Sequence, residues 1–168
     1  IADMLTRELT AEQVWLLNDL TQAATTRVIN GIEVVTSKVI SENYVGDFAV
    51  LVHKFMEMEN LRVIFALAQM EDRIYLVARS RVEEVNVAEI ALAFGGGGHP
   101  QAASATIKNA IENTPDEDKI EISVKKRGKG VELMVRDYGV GITADNQNRI
   151  FEGFFTTHET MDYSSKQP

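Results

Sequence analysis

Four consecutive glycines, Gly95 to Gly98, followed by His99 and Pro100, constrain this 168-residue chain more than any other segment. Glycine loses the most backbone freedom on ordering, so such a run is unfavourable inside a regular element and punctuates the fold. It follows an apolar stretch, roughly Val85–Phe94, that reads as a short helix. It precedes AASATI, which reads as a closing strand. Glycine supplies the left-handed conformation that ends a helix. Without Cβ atoms, the backbone N–H groups can also approach a phosphate closely, and His99 can donate a hydrogen bond to the same anion. A flexible connector would contain glycines too, so the surroundings decide the reading.

Upstream, AEQVWLLNDLTQAATTRVI carries Val14, Leu17, Leu20 and Ala24 at helical spacing, opened by a Thr10/Gln13 capping box and stopped by Asn30–Gly31. IEVVTSKVI predicts a β-branched strand over residues 32–40. A second helix is expected from Val45 or Gly46 to Asn60, with Phe48, Leu51, Val52 and Phe55 on one face. LRVIFALAQM and RIYLVARS read as two strands joined in a hairpin at Glu71–Asp72. His53, on the apolar second helix, is read as structural or solvent-facing rather than catalytic.

The formal net charge is −8, of which residues 1–108 carry −5 and residues 109–168 carry −3. Bulk electrostatics therefore oppose binding of polyanions, and any phosphate must be held by a local site. The chain has no cysteine, which excludes disulfides and thiolate metal sites and fits the cytoplasm, the expected location. No apolar run approaches the roughly 20 residues that cross a bilayer, so no membrane segment is expected. The opening IADMLTRELT lacks the basic start and apolar core of a signal peptide.

The series RSRVEEVNVAEIALAFGGGGHPQAAS resembles the DHH-associated domain. That domain follows the catalytic domain of RecJ-like and oligoribonuclease-like phosphoesterases and occurs in some tRNA-nucleotidyltransferase-like proteins. The resemblance rests on Arg79, Ser80, Gly96, Gly97, Gly98, His99, Ala102 and Ala103, and covers roughly residues 10–108. Ser104 stands where the family has glycine. The resemblance implies that Arg79, Ser80 and Gly96–His99 hold the phosphate of a nucleotide or single-stranded nucleic acid. Hydrolysis in that family belongs to a preceding Asp-His-His domain, and no such segment occurs here, so this module is expected to bind without cutting.

After residue 108 the texture changes. KIEISVKKRGKGVELMVRD predicts two strands around Arg127–Gly130, with Ile120, Ile122 and Val124 alternating, then Val131, Leu133 and Val135. VRDYGVGIT places Asp137, Gly139 and Gly141 at a strand end, where a carboxylate can accept from an adenine amino group. With NAIENTP upstream and IFEGFFTT downstream, the segment resembles part of the GHKL-type ATP-binding fold of sensor histidine kinases. The resemblance implies Mg²⁺ on ATP held at Asn109, help from Asn113, adenine read by Asp137 beside Gly139 and Gly141, and a lid anchored by Phe151, Phe154 and Phe155. Ala105 replaces the polar residue expected one turn before Asn109, and the sequence stops at Pro168 before a second glycine box. ATP affinity is therefore expected to be weak or absent, and no complete catalytic site is expected in either half.

The expected architecture is mixed α/β: a DHH-associated sheet-and-helix module, 1–108, joined directly to part of a histidine-kinase-like α/β sandwich, 109–168. The joint lacks a polar linker, which favours a chimera, or discontinuous segments numbered as though continuous, over a natural fusion. An unpaired strand edge in the second part would allow self-association. Three readings remain open: a nucleotide or nucleic-acid binding module, an Mg-ATP-binding kinase fragment, or a recombined scaffold without activity.

Overall fold

The computed structural model describes residues 8–71, 73–107, 121–127 and 130–136. Helix α1 (Ala11–Gln22) leads into strands β1 (Thr25–Ile29) and β2 (Ile32–Ser41). Helix α2 (Phe48–Met58), strands β3 (Val63–Met70) and β4 (Arg73–Ser80), and helix α3 (Val87–Ala93) follow. Strands β5 (Gly97–His99), β6 (Ala102–Ile107), β7 (Glu121–Arg127) and β8 (Gly130–Arg136) complete the described elements. Six strands form one sheet in the order β1-β2-β3-β4-β6-β5, while β7 and β8 pair as a separate hairpin. The architecture is mixed α/β, as the sequence predicts.

The Thr10/Gln13 capping box forms in both directions. The first helix, however, ends at Gln22 rather than near Ile29. Thr25, Thr26, Val28 and Ile29 are β-branched and lose side-chain freedom in a helix. Asn30 and Gly31, with φ of 52° and 77°, make a two-residue hairpin loop that pairs β1 with β2 instead. Of the residues expected on the inner face, Leu20 is buried and Leu17 and Ala24 pack partly buried against the core, whereas Val14 is exposed. Leu16, one turn before Leu20, is buried in its place.

Strands β2 and β3 are parallel, connected over the sheet by α2; the other pairings in the six-stranded sheet are antiparallel. Helix α2 begins two residues later than expected, behind Asp47 in the left-handed region. It buries Phe48, Leu51, Val52 and Phe55 as the spacing predicts. Asn60, with φ of 48°, ends it: the Asn60 and Leu61 N–H groups donate to Glu57 and Met56 carbonyls, closing a Schellman motif. Helices α1 and α2 cover one face of the sheet through Leu16, Leu20, Leu51 and Phe55.

The opposite face is covered by α3 and by the β7–β8 hairpin. Val124, on β7, is buried with Phe65, Val63, Ala78 and Val87, and its cross-strand partner Leu133 packs beside it. The Arg27 guanidinium on edge strand β1 donates to the Val124 carbonyl at 3.4 Å. The hairpin is thus part of the same folded core. A buried carboxylate without a partner is strongly destabilising. Val124→Asp should lower the unfolding free energy by about 2 kcal/mol or more in urea titration, while Lys125→Asp on the exposed face changes it by less than about 0.5 kcal/mol.

Candidate functional site

Strand β4 carries Arg79 one residue before its end. Arg79 pairs with Ala102 of β6, and Ala102 pairs in turn with His99 of β5. Laterally opposed residues share a sheet face, so Arg79, Ala102 and His99 form one row. Val77, Ser104 and Gly97 form the next row, and Tyr75 and Thr106 the row after that. This is the face that carries α2. The Arg79 Nη2 donates to the carbonyl of Ala49, in the first turn of α2, at 3.3 Å.

A cavity of about 170 Å³ opens here, lined by Ala49, Arg79, Gly97, Gly98, Ala102 and Ser104 among others. Arg79 Nε is buried and has no hydrogen-bond partner among the described residues. Leaving a buried donor unmatched is costly, more so on a charged group. Burial pushes the Arg79 pKa below its usual range, yet a guanidinium remains charged at neutral pH. Arg81 provides a contrast: its guanidinium is occupied by Glu57 and by Asn60 Oδ1.

The glycines divide by role. Gly95 has φ of 73° and ends α3, its N–H donating to Leu92 while the Gly96 N–H donates to Ala91. A Cβ on Gly96 would stand 2.1 Å from the Ser104 carbonyl oxygen, and one on Gly98 would stand 2.4 Å from that of Ala102. Both glycines are therefore demanded by the close approach of β5 to β6. At Gly97 a Cβ would meet nothing within 4 Å, and its φ lies outside the left-handed region. Its missing side chain serves no packing purpose.

The structure thus brings Arg79, Gly97 and Gly98 to one cavity, with His99 exposed in the same row as Arg79. It does not bring Ser80 there. The Ser80 hydroxyl is buried on the opposite face, donating to the Val82 carbonyl at 2.8 Å and accepting from the Val82 N–H at 3.1 Å. Gly96 contributes shape, because its N–H is spent on α3. The run is also more ordered than the expected punctuation: Gly97–His99 forms an edge strand, held by β6 on one side. Ser104 and Ala49 were not singled out by sequence. Ser104 was visible only as a departure from the glycine of the motif, and Ala49 carries no chemical signal. Asn109, Asn113, Asp137, Gly139, Gly141, Phe151, Phe154 and Phe155 lie outside the described residues. A wider depression of about 640 Å³ lies between Arg27–Asn30 and Val124–Lys125, along the seam between sheet and hairpin, where Arg27 is already engaged.

These features define a small mixed α/β module with a glycine strand edge beside a half-buried arginine. The chain belongs to the DHHA1 domain family, which matches residues 31–131. Residues 100–167 match the family of histidine kinase-, DNA gyrase B- and HSP90-like ATPases, so the two matches overlap across β6, β7 and the start of β8. The chain is similar to the A-adding tRNA nucleotidyltransferase of Geobacter sulfurreducens, 45% identical over 109 residues, 65% of this chain and 12% of that protein. It is also similar to the sensor-like histidine kinase SenX3 of Mycolicibacterium smegmatis, 43% identical over 54 residues, 32% of this chain and 14% of the relative. The chain therefore spans about an eighth of the length of either relative. An exopolyphosphatase-related protein from Bacteroides fragilis superposes with a TM-score of 0.43 at 17% identity, covering 58% of this chain and 30% of its own.

Gly98→Ala should destabilise the fold by about 1–3 kcal/mol, the range for overpacking, while Gly97→Ala leaves denaturant midpoints unchanged. His53, half-buried one helical turn after Ala49, offers a second check. Burial holds its pKa below the ordinary 6.5, the Arg79 charge lowers it further and Glu57 opposes them. The fold thus favours neutral His53: its contribution to stability is present above the ordinary pKa and is lost as pH falls through the folded value. In an NMR titration the His53 midpoint should lie below 6.5 and rise partway back in Arg79→Gln.

Proposed function

We propose that the chain is a binding module that holds a phosphate of a nucleotide or single-stranded nucleic acid at Arg79, Gly97, Gly98 and His99. The observation that carries this reading is Arg79, a half-buried guanidinium with an unmatched Nε, lining one cavity with Gly97 and Gly98. A phosphate in that cavity receives charge-assisted hydrogen bonds from the guanidinium. Gly97 lets the anion reach the strand edge, and His99 supplies a further donor from the row of Arg79. Ser104 adds a hydroxyl where the family motif has none. Ser80 and Gly96 support the site by fixing the turn after β4 and the seat of β5. The reading assigns this module recognition rather than hydrolysis.

A second reading follows from the ATPase-family match over residues 100–167. In it the two units meet near residues 108–109, and the second would take Mg-ATP at Asn109, Asn113, Asp137, Gly139 and Gly141. The β7–β8 hairpin at the overlap of the two matches packs on the first unit's sheet, which fits a recombined chain.

Fluorescence anisotropy with a short single-stranded RNA, and separately with Mg-ATP, separates the readings. His99→Ala and Arg79→Gln should weaken RNA binding and leave ATP binding unchanged; Asp137→Asn should do the reverse. Loss of Arg79 should also reduce the slope of log K against log salt by about 0.7, as expected for one single-strand phosphate contact. RNA affinity insensitive to Arg79 and His99 would sink the phosphate reading.

A further inference from the structure

The shelf beyond Arg79 has a second feature. Strand β4 places Tyr75 four residues before Arg79 on the same face, about 13 Å away at roughly 3.3 Å per residue. Tyr44, from the loop before α2, meets it with ring centroids 5.6 Å apart and planes inclined at 55°. Tyr75 is anchored against the core beneath α1 and α2. Tyr44 is more than half exposed, at 55%. Between the rings and the arginine, β6 presents Ser104 and Thr106, both exposed on this face, with Thr106 directly opposite Tyr75.

We infer that Tyr44, braced by Tyr75, is a stacking platform for a nucleobase of a single-stranded nucleic acid whose phosphate sits at Arg79. The inference rests on the phosphate reading above and extends it to a specific ligand geometry. A chain of net charge −8 cannot hold a polyanion by its overall field, and the cavity offers one half-buried guanidinium. Affinity must come largely from an uncharged contact, and base–aromatic stacking is the interaction single strands offer without regard to sequence. The 13 Å spacing exceeds the reach from a phosphate to its own base, so the platform serves a neighbouring residue of a short oligomer. Thr106 and Ser104 stand along the path as donors and acceptors for sugar or base edges.

The test compares a tetraribonucleotide with a sugar–phosphate oligomer of the same length lacking bases, both read by anisotropy with the full chain. The wild type should bind the base-bearing oligomer more tightly. Tyr44→Ala should weaken that binding about five- to a hundredfold, leaving the abasic oligomer unaffected, and Tyr44→Phe should restore it. Arg79→Gln should weaken both ligands. If Tyr44→Ala changes neither ligand, or both equally, while Arg79→Gln still weakens both, the platform is overturned and the phosphate site stands. If Arg79→Gln also leaves both unchanged, the phosphate reading falls with it. Tyr44 is exposed, and an unchanged thermal midpoint of Tyr44→Ala shows that the variant is folded.

Discussion

Strand β3 is buried on both faces, and the rest of the described structure depends on keeping it so. Val63 through Ala68 are all sequestered from water, a run without polar interruption. Such a strand cannot lie on a surface, because each alternate side chain needs cover on its own side. One cover is α1 with α2. The other is α3 together with the β7–β8 hairpin, whose Val124 sits against Phe65 of β3 itself. Sheet order follows from the same demand. The parallel β2–β3 pair requires a crossover, and the crossover is α2, which then lies where Arg79 can reach the carbonyl of Ala49.

The glycine run shows how one motif divides between close packing and an open strand edge. Gly96 and Gly98 are steric requirements, because β5 lies too close to β6 for any side chain there. Gly95 ends a helix. Only Gly97 faces open space without a conformational reason to be glycine. The small residues of β6 are the counterpart of this closeness: Ala103 and Ala105 fill the underside, while Ala102 leaves a gap between Arg79 and His99. A motif of this kind takes its shape from packing and leaves a few atoms unmatched, here the Nε of Arg79.

The two family matches meet on a piece of structure rather than at a gap. The hairpin falls inside the DHHA1 match through residue 131 and inside the ATPase match from residue 100. Its apolar side is used by the sheet of the first. An alternating strand pair buries any face that is offered to it, so the same seven-residue strands suit either context. Shared amphipathic pattern is a physical reason why both family matches can extend over the same hairpin.

Much was legible in sequence because it rests on local physics. The capping box at Thr10, the stop at Asn60, the apolar face of α2, the strands β2, β3, β4 and β6, and the hairpin after residue 120 each follow from spacing or from a residue whose backbone preference is strong. Arg79 and the glycine–histidine loop were legible as a motif. Other features were decided only by tertiary structure. The end of α1 and the burial of Leu16 instead of Val14 depended on what the helix met, although Leu17, Leu20 and Ala24 lie on the core side as their spacing predicts. Ser80 and Gly96 left the site because the hydroxyl faced inward and the amide capped a helix, facts set by sheet parity and helix exit. Ser104 and Tyr75 came onto the face of Arg79 through strand register, and Ala49 and Tyr44 came beside them through the helix and loop packed on that face. The chain's letters determine which elements form and which chemistry is available; only the pairing of β4, β6 and β5 determines which groups share a face, because that register is set by contacts between strands and not within them.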